Sequence, residues 1–224
     1  MIVTLMGFMG CGKSSVGREL ARLLCCPFMD LDAVIEKAEG RTIPEIFASD
    51  GEAAFRRMEA DTLHSLVVQP VGSVGPLPAS WAPPPEPAAA GFSLQRSTGP
   101  FADRSRGWQN ANSIHQADTP HNMQPVQCVL ALGGGTVMTP ECAEIVHEKT
   151  FCIYLRTEAE TLAERLAGEA DGRPMLKGNL MDRIHELMAQ RAATYEGTAH
   201  MIIDTDGKTI EDIASEIHGI LKNL

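Results

Sequence analysis

An apolar run, Ile2-Val3-Thr4-Leu5-Met6, leads directly into Gly7-Phe8-Met9-Gly10-Cys11-Gly12-Lys13-Ser14, and no other feature restricts the fold of this chain so tightly. The second string reads G-x-x-x-x-G-K-S, and the residues after it carry helical apolar spacing through Val16, Leu20, Leu23 and Leu24. Backbone N–H groups converge on a phosphate only where glycines permit positive φ and bring no side chain into the cavity. Lys13 is placed to neutralise β- and γ-phosphate charge, Ser14 to offer a hydroxyl to Mg²⁺, and the helix starting there aims its positive end at the anion. A glycine-rich turn matching by accident would need neither the strand before it nor the helix after it. The chain therefore opens with a nucleoside-triphosphate site built on a strand-to-helix turn.

The chain has 224 residues, 44% of them hydrophobic, enough to form the core of one large domain or two small ones. It contains no 18-residue apolar stretch, and the first strand begins at residue 2, so a soluble, cytoplasmic protein without a leader or a membrane partner is expected, with a plastid as the alternative in a plastid-bearing source. A net charge of -10 argues against nucleic acid as a partner, because phosphate backbones call for a basic face. Any anionic substrate must then meet a local cluster of arginines. The six cysteines include no C-x-x-C pair and no histidine at zinc spacing, which fits a reducing compartment. Cys25, Cys26, Cys142 and Cys152 read as small packing residues, whereas Cys11, in the phosphate loop, sits where a thiol can be acidified.

Beyond the first strand, apolar runs alternate with helical patterns. Strands are expected at 2–6, 28–31, 129–132, 151–155 and 200–204, and helices at 14–25, after Asp32 to a stop at Gly40, at 51–67, 140–148, 157–167, 180–195 and from Ile210. This order predicts an α/β protein of the P-loop NTPase type: three layers, with a five-stranded parallel sheet covered by helices on both faces and ligands at the strands' carboxyl ends. Residues 69–125 break the rhythm. They hold ten of the 14 prolines and both tryptophans, with few charges and no periodicity. The string Gln-Pro-Val occurs at both borders, at Gln69-Pro70-Val71 and Gln124-Pro125-Val126. The segment reads as a disordered insertion into a single domain formed by residues 1–68 and 126–224, with a partner-binding linker around Pro83-Pro84-Pro85-Glu86-Pro87 as the competing reading.

Four further groups can carry chemistry. Asp30 and Asp32, at the end of the second strand, suit Mg²⁺ and proton acceptance; helix capping by Asp32 is the plainer role. Arg56 and Arg57 in Phe55-Arg56-Arg57-Met58-Glu59 point about 100° apart, so only one of them is expected to serve a site, and taken alone such a pair is more often a solvated helix face. Gly133-Gly134-Gly135 follows a strand and lets backbone N–H groups approach a substrate, unless it is a plain flexible turn. The glycine-bounded stretch from Gly168 to Pro174 has the make-up of a mobile lid carrying Arg173, and Arg191 on a later helix offers a second substrate contact.

In this order, the phosphate loop, Asp30-x-Asp32, Phe55-Arg56-Arg57-x-Glu59, Leu132-Gly133-Gly134-Gly135, Arg173-Pro174 and Gln190-Arg191-Ala192-x-x-Tyr195 resemble the shikimate kinases over essentially all of the chain outside the insertion. The loop and the acidic pair are common to many small-molecule kinases, gluconate kinases among them; the Phe-Arg-Arg-x-Glu string and the triple glycine are more specific. The resemblance implies transfer of the γ-phosphoryl group of ATP to the 3-hydroxyl of shikimate by a monomer. In that scheme Gly10, Cys11, Gly12, Lys13, Ser14 and Ser15 surround the phosphates, Arg165 stacks on adenine, and Arg173 reaches over from the lid. Ser14, with Asp30 through water, holds Mg²⁺. Asp32 binds and activates the hydroxyl, so that Lys13, Asp32 and Arg173 form the catalytic set. Arg56, oriented by Glu59, and Arg191 grip the carboxylate beside Gly133, Gly134 and Gly135. A catalytically silent binding protein on the same fold is the reading from another functional class, and loss of Asp32, Arg56 or Arg191 would favour it; all three are present.

Overall fold

A computed structural model describes residues 1–68, 125–167 and 179–224. The expectations of a disordered insertion and of a lid carrying Arg173 lie outside the described residues, Pro125 excepted. Five strands, β1 (Ile2–Met6), β2 (Phe28–Asp30), β3 (Cys128–Ala131), β4 (Phe151–Arg156) and β5 (Met201–Asp204), form one sheet in the order β2-β3-β1-β4-β5 with every pair parallel. The helices are α1 (Lys13–Leu23), α2 (Leu31–Glu39), α3 (Ile43–Ser49), α4 (Glu52–Val68), α5 (Pro140–Lys149), α6 (Ala159–Leu166), α7 (Leu180–Thr198) and α8 (Ile210–Leu221), with a 3-10 turn over Thr136–Met138. This is the α/β architecture expected from the sequence.

The alternation of β1 divides the core. Val3 and Leu5 pack with Val16 and Leu20 of α1 and Ile213 and Ile217 of α8 on one face, while Ile2 and Met6 pack with Leu63 of α4, Val146 of α5 and Tyr195 of α7 on the other. Both faces are covered, so β1 is buried along its whole length, as a central parallel strand must be. Thr4 is the polar member of the strand, and its hydroxyl is paired with that of Thr150 at 2.8 Å.

The chain leaves β1 for β2 on one side and later crosses from β3 to β4 on the other, so the switch in direction falls beside β1. The phosphate loop follows β1 at that point, the place where sheets of this kind bind ligands. The far border of the proline-rich segment is tied to Met1, the residue before β1. The amino terminus donates to the carbonyl of Pro125 at 2.9 Å, and the Gln127 N–H donates to that of Met1 at 2.8 Å.

Helix α3 was not expected, although its start is legible. Thr42-Ile43-Pro44-Glu45 is a Thr-x-x-Glu capping string with proline in the first turn, and the Glu45 carboxylate accepts the Thr42 N–H at 2.7 Å. The expected cap of α2 also moves. Asp30, not Asp32, is the capping residue, its carboxylate accepting the Asp32 N–H at 3.2 Å, and Asp32 stands inside the first turn.

Candidate active site

The phosphate loop takes its shape from two glycines in the left-handed region, Gly10 at φ 81° and Gly12 at φ 95°. Gly12 is the residue before α1, and the helix start has neither a side-chain cap nor an acidic residue in its first turn. Its amides and its positive end therefore face the loop, whereas α8 closes its own N-terminus with the Thr209 hydroxyl. The Lys13 ammonium donates to the carbonyls of Gly7 at 3.0 Å and Phe8 at 2.9 Å and lies 3.8 Å from the Cys11 sulfur. The Ser14 hydroxyl donates to Asp30 Oδ2 at 2.6 Å. Ser15 is exposed on the first turn, and Cys11 is buried. At the loop's outer side, Arg165 of α6 reaches the Gly10 carbonyl at 3.4 Å.

Asp30 and Asp32 do converge, through the geometry of a cap rather than of an extended strand. Asp32 is partly buried, and burial, with the nearby Asp30 and Glu59 carboxylates adding to it and Lys13 opposing, pushes its pKa up to about 6. A carboxylate near that value accepts a proton at neutral pH and holds it well enough to serve as a general base.

The Gly133-Gly134-Gly135 turn is the hub between this acid and the arginines. A methyl group on Gly133 would lie 2.9 Å from both Asp32 Oδ1 and Glu59 Oε1, and one on Gly135 would lie 2.7 Å from the Arg56 guanidinium. A methyl on Gly134 would stand 3.5 Å from the Met9 nitrogen of the phosphate loop and 3.8 Å from Arg191 Nη1. These glycines thus admit the protein's own functional side chains, a use distinct from the substrate approach expected of them.

Of the two adjacent arginines, Arg56 faces the turn and Arg57 is exposed. Arg56 Nη1 donates to buried Glu59 Oε2 at 2.6 Å; burial opposes the guanidinium's charge, and the hydrogen bond and attraction of Glu59 outweigh it, so its pKa is raised. Arg191 is buried on α7, donates to the Gly134 carbonyl at 3.0 Å and lies over the Phe8 ring with 5.7 Å to its centroid. Lys13, Ser14, Asp30, Asp32, Arg56, Gly133, Gly134, Gly135 and Arg191 therefore gather at one end of the sheet; Arg173 is outside the described residues.

Two hydroxyls take roles that the sequence reading did not assign, one of them on Tyr195, which it named only as part of a string. The Tyr195 hydroxyl donates to the same Gly134 carbonyl at 2.5 Å, and burial pushes its pKa up to about 12. The Thr136 hydroxyl reaches Glu59 Oε1 at 2.5 Å across 77 positions of sequence. Tyr195 lies four residues after Arg191, one helical turn along, a spacing from which its place beside Arg191 could have been read; nothing local flagged Thr136. Among the cysteines, burial pushes the thiols of Cys26 and Cys142 up to about 11 and that of Cys152 up to about 12, in keeping with packing roles. Cys25 departs from that expectation: it is exposed, with φ 51° in the turn after α1.

The family model described as shikimate kinase matches residues 9–75 and 110–222. The chain belongs to the shikimate kinase family. A shikimate kinase of Thermus thermophilus is 33% identical over 216 residues, covering 96% of this chain and 86% of its own length. That of Symbiobacterium thermophilum is 32% identical over 219 residues, covering 97% and 94%. Among solved structures, the shikimate kinase of Acinetobacter baumannii in complex with shikimate superposes with a TM-score of 0.69 at 27% identity, covering 99% of this chain and 93% of that one. No described helix is long and apolar enough to cross a membrane.

Proposed function

We propose that the protein transfers the γ-phosphoryl group of ATP to the 3-hydroxyl of shikimate, giving shikimate 3-phosphate and ADP on the route to chorismate and the aromatic amino acids. The observation that carries this reading is the approach of two guanidiniums, Arg56 and Arg191, to one glycine turn that also touches Asp32 and the phosphate loop. A carboxylate-bearing ring held by the arginines presents a hydroxyl to Asp32, in line with a phosphate end held at the head of α1.

Phosphoryl transfer asks the protein for positioning and charge neutralisation above all. Lys13 exchanges its carbonyl partners for phosphate oxygens, beside the amides of Gly10, Cys11, Gly12 and Ser15. Asp32 takes the proton of the attacking hydroxyl, and its elevated pKa makes the transfer less uphill. The Ser14 hydroxyl and the Asp30 carboxylate, already hydrogen-bonded to each other, are the hard oxygen donors that Mg²⁺ prefers, with Asp30 acting through water. When bound, the ion neutralises charge between the β- and γ-phosphates. Arg165 is assigned to the base and Arg173 to the transferred group. We further assign residues 69–125 as an insertion into one domain made of 1–68 and 126–224; the lapse of the family match over 76–109 supports this. The acidic net charge supports a protein that does not bind nucleic acid, and we assign it as a cytoplasmic monomer.

A coupled ADP-release assay with shikimate, with gluconate and with no acceptor tests the reading. Shikimate-dependent release well above both controls is expected, and equal rates with the two acceptors would refute it. Peptide mass mapping of the native protein tests the insertion: its peptides are expected, and their absence would show the segment removed.

A further inference from the structure

Glu59 is almost fully buried, at 1% exposure, and each of its oxygens has its own donor. Oε2 receives the Arg56 guanidinium at 2.6 Å, and Oε1 receives the Thr136 hydroxyl at 2.5 Å. Thr136 has no exposed surface, opens the 3-10 turn that follows the triple glycine, and directs the same hydroxyl towards the Gly133 carbonyl at 3.1 Å. The oxygens of Asp32, Glu59 and Thr136 crowd around one point beside Gly133, where a methyl group would lie 2.9 to 3.0 Å from all three. The second carboxylate contact of Arg56, to exposed Glu52 at 3.4 Å, is long and screened by solvent. The guanidinium's direction therefore depends on Glu59, and that of Glu59 depends on Thr136.

We propose that Thr136 is a positioning residue for the acid-binding half of the site: its hydroxyl fixes Glu59 against the glycine turn, and Glu59 holds Arg56 in the orientation that meets the substrate carboxylate. Without that hydroxyl, Oε1 faces the like charge of Asp32, and Glu59 turns away and carries Arg56 with it. Valine keeps the volume of threonine and loses the donor, so it isolates this function. The inference rests on Arg56 binding the carboxylate of shikimate.

The test uses the full chain with Thr136→Val, Thr136→Ser and Thr136→Ala, following ADP release with each substrate varied in turn. Loss of a buried hydrogen bond to a charged group predicts that Thr136→Val raises KM for shikimate roughly tenfold, while KM for ATP moves by less than about twofold. Thr136→Ser keeps the donor and should stay within about threefold of the unsubstituted protein for shikimate. By calorimetric titration, Thr136→Val should weaken shikimate binding by less than about twofold when Arg56 is already alanine, because the two residues act in series. Parallel rises in both KM values, a serine variant as impaired as the valine, or full additivity with Arg56→Ala would each overturn the proposal. If the valine variant fails to fold, Thr136→Ala against Thr136→Ser carries the same comparison. Absence of shikimate-dependent ADP release by the unsubstituted protein would refute the assigned reaction itself, a result distinct from all of these.

Discussion

Replacing Asp32 with asparagine should make the protein more stable and nearly inactive at once. Its pKa is raised from 3.8 to about 6, so the native state holds the Asp32 proton more tightly than the unfolded chain does. Native stability contributed by this group therefore falls as pH rises from about 4 to about 6, and the penalty is complete above that window. A displacement of about two pH units corresponds to about 3 kcal/mol at pH 7.5 and, by the same linkage, about 1 kcal/mol at pH 4.5. Asparagine fills the same space without charge, so Asp32→Asn should gain roughly those amounts at the two pH values. Loss of the general base should meanwhile lower kcat by about 10² to 10⁴. Urea unfolding of both proteins at pH 4.5 and 7.5 reads the first effect, and coupled ADP release reads the second. A gain that is equal at the two pH values, or a loss at pH 7.5, would refute the claim that burial and neighbouring carboxylates hold this proton. The unsubstituted enzyme should also lose kcat/KM for shikimate about tenfold per pH unit below about 6, in line with protonation of a single base.

Arg56→Ala should weaken shikimate binding by about 2 to 3 kcal/mol and leave ATP binding nearly unchanged, as calorimetric titration of each ligand would show. Gly135→Ala places a methyl group 2.7 Å from the Arg56 guanidinium, the end of a flexible side chain, so KM for shikimate should rise about tenfold with little change in thermal midpoint. Gly17→Ala is the contrasting case: its methyl would lie 2.4 Å from the Phe28 ring in the core, and the variant should lose about 1 to 3 kcal/mol of stability in urea unfolding. Tyr195→Phe removes one of two donors to the Gly134 carbonyl and should cost about 1 kcal/mol of stability with a several-fold rise in KM for shikimate, measured by the same two assays.

The strands and most helices are readable in the sequence because period and punctuation agree locally. The apolar run at 2–6, the glycines that follow it and the helical spacing beyond them all point to one strand-loop-helix unit. Helix α3 is short and its apolar pattern slight, so only its capping string marks it. The exchange of capping between Asp30 and Asp32 was hidden because either carboxylate fits the composition of that corner; the backbone turn decides, and it starts two residues earlier than the pattern suggests. The Arg56 and Arg57 ambiguity is of the same kind. Their helix positions place them about 100° apart, and only the burial of Phe55 with the contact of Glu59 at the glycine turn settles which one faces it. Thr136 and Glu59 meet across a separation of sequence that no local pattern encodes.

A chain with net charge -10 that handles two anionic substrates must keep each positive group where its own acids do not consume it. Lys13 and Arg191 are tethered by neutral carbonyls, which orient the cations and leave their charge available. Arg56 is tethered by a carboxylate, yet one shared with the Thr136 hydroxyl and buried, and its other contact, Nη2 to exposed Glu52, is long at 3.4 Å, so that edge of the fork can turn to a second acid. Among the described residues Asp32 is the carboxylic acid whose pKa is forced upward, and its displacement comes from burial first and from the neighbouring carboxylates in addition, with Lys13 opposing. The triple glycine makes this spacing feasible: any side chain at Gly133 or Gly135 would push Asp32, Glu59 or Arg56 out of the constellation. The acidic surplus and the basic site are therefore compatible through local geometry at one turn.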